Sequence, residues 1–440
     1  MLTLQGTGRQ IDCEGTSRRD FLKIGTLGMT GLTLPTLLRA RAEAAANGQN
    51  AKDTSVVWLW LGGGPTQVET FDPKMQAPKE YRSVVGAVDS AIPGVQLGGK
   101  FPQMAKMAKR MAFVRSFAHG NSNHAGGTHL LMTGVNHPQP GQPQLRPSVG
   151  SVAARMRGTN HAQTGMPTYV RLSGLYADGP HWFGTAYSPF NTGGQARKNM
   201  NPVVDVNRIG DRRSLLKSLD RVDQAIDRRG LMGGLNAFES QAYGMILGRS
   251  KEAFDLNRED PRTRDRFKSV GHGLGEQLLL ARRLCEAGAG FVTMNYANSY
   301  QGWDMHSKIE QQVNKACPPL DLAVATFLDD LAQRGMSEKV LLVITGEFGR
   351  TPRINGGAGR DHWGPLCTLA LAGGGLKMGQ AVGESTAKAE VPKTTPIRPK
   401  DLMATVFHVL GIDQNVQLIN PAGRPTYLLP EGAKPIAALI

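Results

Sequence analysis

Several features that mark other protein classes are scarce in this sequence, beginning with cysteine. The 440-residue chain contains 4 cysteines, and no two of them form a CxxC pair. Cys13 lies near the N-terminus, which leaves Cys285, Cys317 and Cys367, an odd number, in the rest of the chain. This count argues against a disulfide framework and allows at most one bridge. We expect these three residues to be small, buried and apolar.

Dense basic blocks, membrane-length apolar runs and local metal motifs are absent as well. The formal net charge is +15, but the lysines and arginines are spread along the chain. Such a distribution offers no nucleic-acid patch, and no stretch is long and apolar enough to predict a transmembrane span. The HExxH pattern of helical zinc sites does not occur, so a metal site in this chain would be assembled from separate loops.

The first recognisable feature is a targeting segment. Residues 17–23 are Ser-Arg-Arg-Asp-Phe-Leu-Lys, residues 24–38 form a weakly apolar run, and small residues at 42–46 offer cleavage positions. This order predicts a twin-arginine signal peptide over residues 1–46, and therefore a periplasmic or secreted protein. The twin-arginine export machinery carries proteins that are already folded, often with a cofactor inside, and this favours a bound metal.

Residues 47–440 predict a single α/β domain with a central, mostly parallel sheet flanked by helices. Glycine is abundant (54 residues) and aromatic residues are few (6%), which suits a loop-rich α/β protein better than a helical bundle. Apolar runs predict strands at residues 55–61, 111–115, 168–172, 290–295, 340–344 and 366–372. Helical spacing predicts helices at residues 101–110, from near 124, 148–156, 309–333 and 399–410. The strand–helix–strand order predicts parallel pairing, with a loop-rich and helical insertion at about residues 174–265.

Four polar loops follow predicted strands. They cover residues 62–72, 119–129, 295–306 and 347–362, and they are rich in histidines and carboxylates. Loops at the carboxyl ends of the strands converge at one edge of a doubly wound sheet. Histidine and carboxylate side chains suit zinc, manganese or iron, so we expect one site where these loops meet.

Individual residues in these loops allow two interpretations each. Asp304 and His306 point the same way if the chain is extended, as two ligands would, or they belong to a surface turn. Asp361 and His362 are adjacent and diverge, so one would bind a metal while the other orients it. The histidine spacing at residues 119, 124 and 129 does not align on one helical face, so each is either a site residue or a hydrogen-bonded loop residue.

Anion-binding groups are present in two of the loops. Arg350 and Arg360 either grip an anion through their planar guanidinium groups or pair structurally with a nearby carboxylate. The backbone N–H groups of Gly63 and Gly64 either bind an anion or form a plain tight turn.

Three motifs together resemble one protein family. Residues 62–67 (Gly-Gly-Gly-Pro-Thr-Gln), 346–352 (Gly-Glu-Phe-Gly-Arg-Thr-Pro) and 359–363 (Gly-Arg-Asp-His-Trp) resemble the DUF1501 family, exported proteins of unknown function. That family looks like a divergent branch of the alkaline phosphatase and sulfatase superfamily. The resemblance covers essentially the whole mature chain. It implies a parallel α/β sheet and a site for one or two divalent metals that handles phosphate or sulfate esters of small molecules or polysaccharides.

The resemblance also implies metal ligands. Asp304, His306 and His362 look like the ligands of one divalent cation, with zinc, manganese or calcium as candidates. Glu347 and Phe348 stand where the superfamily has an Asp-His pair. Glu347 is then a ligand or a general base, with Arg350 or Arg360 steadying the anion.

The nucleophile position of the superfamily corresponds to His124. Either this ring attacks covalently through a neutral nitrogen, or a metal-bound water attacks directly. The resemblance therefore implies an exported, metal-dependent hydrolase. The alternative is a non-catalytic binding or scaffold protein of the cell envelope that retains the fold.

Overall fold

An eight-stranded sheet organises the part of the chain that the structure describes. The structure is a computed structural model, and it describes residues 52–137, 144–193, 250–296 and 302–440. The predicted signal peptide at residues 1–46 and the middle of the predicted insertion lie outside these ranges.

The strands coincide closely with the predicted apolar runs. In chain order, the strands of the large sheet are β1 (Ser55–Trp60), β4 (Met111–Val114), β5 (Tyr169–Arg171), β6 (Phe190–Asn191), β7 (Phe291–Asn295), β8 (Val340–Thr345), β11 (Leu369–Gly373) and β12 (Gln380–Val382). Three two-stranded sheets comprise β2 (Ala87–Asp89) with β3 (Gln96–Gly98), β9 (Gly349–Arg350) with β10 (His362–Trp363), and β13 (Gln417–Ile419) with β14 (Pro425–Tyr427).

The α-helices of the described residues also follow the predictions. They are α1 (Pro102–Lys106), α2 (His124–Thr133), α3 (Val149–Arg157), α4 (Pro261–Lys268), α5 (Leu274–Glu286), α6 (Ile309–Gln333) and α7 (Pro399–Leu410). The residues at the two ends of α7 explain where this helix begins and where it stops. Pro399 lies at the first turn, where its missing N–H costs nothing, and Gly411 ends the helix in the left-handed conformation with φ 67°. The predicted helix at residues 101–110 is instead the short α1 followed by one 3₁₀ turn.

The large sheet is mostly parallel, as predicted. Its order is β12-β4-β11-β8-β1-β7-β5-β6, and β11 alone among these strands runs antiparallel to both its neighbours. The strands β1 and β4, which the sequence suggested as a βαβ pair, are separated by β8 and β11. The central strand β1 pairs with β8 and β7, so the carboxyl ends of these three strands lie side by side.

Both faces of the sheet are covered by helices. In β1, Val57 and Leu59 pack on one face, while Trp58 and Trp60 pack on the other, and all four are at most 2% exposed. Side chains of α1, α4, α5 and α6 cover the first face, and those of α2, α3 and α7 cover the second. A strand buried on both faces reads as a continuous apolar run, which is why β1 was recognisable from the sequence.

The described residues also bear on what the sequence analysis said about cysteines and about transmembrane spans. Cys285, Cys317 and Cys367 are free and buried, as predicted. Among the helices that the structure describes, none combines the length and apolar character needed to cross a membrane.

A buried charge network joins α5 and α6 to the segment that precedes α4 on the first face. Arg282 of α5 is fully buried and contacts Glu259 at 2.5 Å and Asp330 of α6 at 2.9 Å. Arg334 also reaches Glu259, at 2.9 Å. Ions removed from water in this way need their partners, because an unpaired charge in the interior is costly.

We expect Arg282→Met to lower the free energy of unfolding by about 3 kcal/mol, because Glu259 and Asp330 would remain buried without this cation. Denaturant-induced unfolding of the purified protein measures the change. Arg258→Met is the matched control, since its pair with Glu252 is about half exposed on both sides (54% and 43%). An equal loss in the two variants would contradict a special role for the buried network.

Candidate metal centre

Four chain segments meet beyond the carboxyl ends of β1, β7 and β8. Gly63 lies in the turn after β1, Asp304 lies in the segment between β7 and α6, and Glu347 follows β8. The fourth segment begins α2, whose first residue is His124. The side chain of Asn123 caps this helix by accepting a hydrogen bond from the N–H of Gly126. This is the convergence of loops that the sequence predicted.

Three side chains lie close enough to hold one cation. Ligand atoms of His124, Asp304 and His362 all lie within 4.8 Å of one another. The Nε2 atom of His362 is 3.0 Å from Oδ1 of Asp304, and Nε2 of His124 is 3.3 Å from Oδ2. Ligands bound at about 2.0–2.1 Å in a tetrahedral site lie roughly 3.3 Å apart, so these separations suit a small cation.

His306 faces the same point. Its Nε2 atom lies 3.0 Å from Oδ1 of Asp304 and 3.0 Å from Nε2 of His362. These two imidazole nitrogens and the carboxylate oxygen each carry a lone pair. A cation bound between them would accept all three lone pairs. The imidazoles of His124 and His362 and the carboxylate of Asp304 therefore lie within mutual reach, and His306 contacts two of these three groups. Together they offer a donor set of the borderline type that zinc, manganese and iron prefer.

Each of the three imidazoles is anchored through its other nitrogen. Nδ1 of His124 contacts Oε1 of Glu347 at 2.7 Å, and Nδ1 of His306 contacts Oδ1 of Asp361 at 2.7 Å. Nδ1 of His362 contacts the carbonyl oxygen of Ser122 at 3.0 Å. Histidines that bind metals almost always donate their second N–H to a carboxylate or carbonyl, which fixes the tautomer and directs the free nitrogen at the ion.

These contacts divide the predicted ligands into two groups. The structure places Asp304, His306 and His362 around the centre, and it adds His124, which the resemblance had placed at the nucleophile position. Glu347 and Asp361 lie one step further out, where each carboxylate orients an imidazole. For Asp361 this is one of the two roles that the sequence left open.

Arg350 holds the central carboxylate from the buried side. Its side chain is fully buried, and its Nη2 atom donates to Oδ1 of Asp304 and to the carbonyl oxygen of Gly63. Its Nε atom donates to the carbonyl oxygen of Gly64 at 2.9 Å. All of these acceptors belong to the protein, so Arg350 positions Asp304 and the glycine turn. These contacts favour the structural pairing of Arg350, and anion binding by this residue stays a prediction.

Arg360 is likewise a structural residue. It is fully buried, and its Nη2 atom donates to Oε1 of the equally buried Glu69 at 3.1 Å. Further donations reach backbone carbonyls of Thr351 and Pro352. The pair joins the loop after β1 to the segment that carries Asp361 and His362. The geometry of Arg360 favours the structural pairing, the second of the two interpretations, and anion binding by this residue stays a prediction.

The glycine turn binds an anion that belongs to the protein. The N–H of Gly63 donates to Oε1 of Glu347 at 2.8 Å. Gly63 has φ 112°, and a Cβ there would lie 2.4 Å from the backbone nitrogen of Asp304. Gly64 has φ 84°, and a Cβ there would lie 2.4 Å from the ring of Phe348. Only glycine meets both requirements, a left-handed backbone and close approach.

The other two histidines of the second loop do not reach the centre. His119 is buried, and its Nδ1 atom accepts a hydrogen bond from the N–H of Asn121 at 3.2 Å. Desolvation lowers the pKa of His119 to about 4, so it is neutral. His129 is buried with Nδ1 at 2.8 Å from the carbonyl oxygen of Val135. Both are hydrogen-bonded loop or helix residues, the second of the two interpretations.

Hydrogen bonds to two carboxylates keep His124 charged. Hydrogen bonds to Asp304 and Glu347 raise the pKa of His124 to about 9. Burial alone would raise the pKa of Asp304, but hydrogen bonds from His124 and Arg350 hold it well below its usual range. Desolvation lowers the pKa of His362, so this ring is already neutral and available as a ligand. The protonated ring of His124 therefore faces the carboxylates of Asp304 and Glu347.

A family model decides which family this arrangement belongs to. The model described as "Protein of unknown function (DUF1501)" matches residues 53–440. The chain belongs to the DUF1501 family. This confirms the resemblance drawn from the three motifs. No curated protein matches the chain.

Solved structures resemble the chain only distantly. A sulfatase from Pseudoalteromonas sp. is 12% identical with a TM-score of 0.39, and the match covers 91% of this chain and 73% of that one. A phosphonate monoester hydrolase from Silicibacter pomeroyi is 11% identical with a TM-score of 0.37, covering 82% and 74%. A protein in the alkaline phosphatase superfamily from Vibrio parahaemolyticus is 10% identical with a TM-score of 0.36, covering 82% and 67%. The names agree with the superfamily resemblance, but likeness at this level carries no inference about chemistry.

We expect cation binding to strengthen with pH, because a cation must displace the proton from His124. Below pH 9 the affinity should rise about tenfold per pH unit, and about one proton should be released per cation. Calorimetric titration with Mn²⁺ at pH 6.5 to 8.5, in buffers of different ionisation enthalpy, measures both quantities. His124→Asn should bind more weakly and lose this pH dependence. An affinity that stays constant over this range in the unmodified protein would contradict the assignment.

Proposed function

We propose that this DUF1501 protein is an exported, metal-dependent hydrolase that acts on phosphate or sulfate esters of small molecules or polysaccharides. The observation that carries the proposal is the convergence of three Nε2 atoms on Asp304, with each Nδ1 atom anchored to a carboxylate or carbonyl. A divalent cation held there would supply a Lewis acid to an ester oxygen and to water. The ester class follows the resemblance of the motifs, and export follows the twin-arginine segment.

In this proposal some residues of the chain bind the cation and another orients a ligand. His124, His306 and His362 would hold the cation through their Nε2 atoms, together with the carboxylate of Asp304. Glu347 accepts the proton of Nδ1 of His124, so that its free nitrogen faces the cation. This carboxylate is 3% exposed, which keeps competing water away from the hydrogen bond.

Water is the proposed nucleophile, because both side-chain hydroxyls near His124 already form hydrogen bonds with the backbone. Oγ of Ser122 accepts the N–H of Gly364 at 2.9 Å, and Oγ1 of Thr128 donates to the carbonyl oxygen of His124 at 2.7 Å. His124 itself uses Nδ1 for Glu347 and directs Nε2 at the cation position, so covalent attack by this ring is disfavoured.

One observation favours the second candidate, a non-catalytic envelope protein that binds a ligand at the same place. Arg350 and Arg360, the two groups expected to stabilise a developing negative charge, are both fully buried and bonded to protein acceptors. Turnover distinguishes the two candidates, since only the hydrolase consumes an ester.

We expect the full-length protein loaded with zinc or manganese to hydrolyse aryl phosphates or aryl sulfates. Calcium should be less effective, because three of the four donors are imidazoles. Replacing a ligand, as in His306→Ala or His362→Ala, should reduce kcat/KM by roughly 100-fold or more, and Glu347→Gln by roughly 10- to 100-fold. Release of the coloured phenol measures the rates.

The matched control for these variants is His272→Ala, which removes an exposed histidine from a turn remote in sequence from the four loops. It should leave both metal content and turnover unchanged. Absence of bound metal by elemental analysis, together with equal behaviour of His306→Ala and the unmodified protein, would reject the hydrolase proposal. Bound metal without turnover of any ester would favour the binding protein.

A further inference from the structure

The buried side of the metal centre is formed by an aromatic ring. Phe348 is fully buried, and its ring centroid lies 4.3 Å from that of His362, with 32° between the ring planes. The centroid distance to His124 is 5.0 Å. The guanidinium carbon of Arg350 lies 5.6 Å from the ring centroid. The side chain of Phe348 therefore packs against two of the candidate ligands and against the guanidinium group of Arg350, which holds Asp304.

The Phe348 ring is packed tightly against the backbone of the glycine turn. Gly64 lies so close that a Cβ atom there would be 2.4 Å from two ring carbons. Other apolar residues of the second sheet face complete the packing around it. The position of the ring is thus fixed by the backbone of the glycine turn, which in turn is held by Arg350.

Exposure of the centre is strongly one-sided. The side chains of His124 and His306 are 43% and 45% exposed, and that of His362 is 24% exposed. Phe348 and Arg350, on the opposite side, are both 0% exposed. A ligand from solution can therefore approach between His124 and His306, whereas the side lined by Phe348 is closed.

An anchored imidazole still has a rotational freedom that the ring of Phe348 removes. A hydrogen bond at Nδ1 fixes one atom of the imidazole, but it allows the ring plane to tilt about that contact. An aromatic ring packed against the imidazole restrains its plane as well. The pairs of Phe348 with His362 and with His124 are tilted by 32° and 46°, and offset or tilted aromatic pairs at such distances are favourable. Precise orientation of Nε2 is what a metal site requires of its supporting residues.

We propose that Phe348 is a positioning residue of the metal centre. Its ring fixes the planes of His124 and His362 and closes one side of the centre, so that a substrate approaches from the side of His306. The statement about approach rests on the proposed function, whereas the orientation of the imidazoles concerns cation binding alone.

Cobalt titration of the full-length protein tests this role, because the visible absorption of bound Co²⁺ reports the number and geometry of its ligands. We expect Phe348→Leu, which retains apolar volume but lacks a flat face, to weaken Co²⁺ binding about tenfold or more and to change the absorption spectrum. Gly64→Ala, which pushes the ring out of place, should change the spectrum in the same direction.

Phe407→Leu is the matched control, since Phe407 is a 1% exposed residue of α7 that packs in the same apolar cluster. Thermal unfolding should show destabilisation of both leucine variants, while only Phe348→Leu alters the Co²⁺ spectrum. The proposal is overturned if Phe348→Leu keeps the original affinity and spectrum, or if Phe407→Leu changes them equally. It is also overturned if the unmodified protein binds no Co²⁺.

These outcomes separate the positioning role from the proposed function. Co²⁺ binding with the expected spectral change, but without hydrolysis of any ester, retains the role of Phe348 and rejects the hydrolase. Hydrolysis with a spectrum that Phe348→Leu leaves unchanged retains the hydrolase and rejects the positioning role.

Discussion

The structure around the centre depends on the carboxylate of Asp304. Its Oδ1 atom is shared by Arg350, His306 and His362, and its Oδ2 atom faces His124. Burial of a guanidinium group is tolerable only with an anionic or strongly polar partner, so Arg350 needs this carboxylate to remain inside the protein. Arg350 in turn holds the carbonyl oxygens of the glycine turn, and that turn fixes Phe348 and Glu347.

Support for the centre comes from groups that are distant in the chain. The buried pair of Glu69 and Arg360 joins the loop after β1 to the segment before β10, and Asn355 donates both to the carbonyl oxygen of His306 and to Asp361. Buried ion pairs contribute little net stability, but they define one arrangement of the loops, since any other arrangement leaves a charge unpaired. In this protein that specificity would place four ligand atoms with the accuracy that a cation requires.

Much of the fold could be predicted because local pattern and burial coincide. The helix at residues 309–333 and the helix at residues 399–410 have the bounds expected from their apolar spacing, and β1 and β8 follow from apolar runs. The order of the strands in the sheet could not be predicted equally well. The antiparallel β11 lies between β4 and β8 in the sheet. Strand order depends on how each connection crosses the sheet, and apolar periodicity does not contain this information.

The sequence by itself determined the strands and helices, the family, and the four loops that carry polar side chains. The superfamily resemblance also implied Asp304, His306 and His362 as one set of ligands. Only the tertiary structure decided that His124 joins them while His119 and His129 do not, and that Arg350 and Arg360 face inward. The physical reason is that side chains on different loops are brought together by contacts between residues far apart in the chain. Spacing within one loop limits what that loop can offer, whereas packing against the other loops decides which of its side chains face the centre.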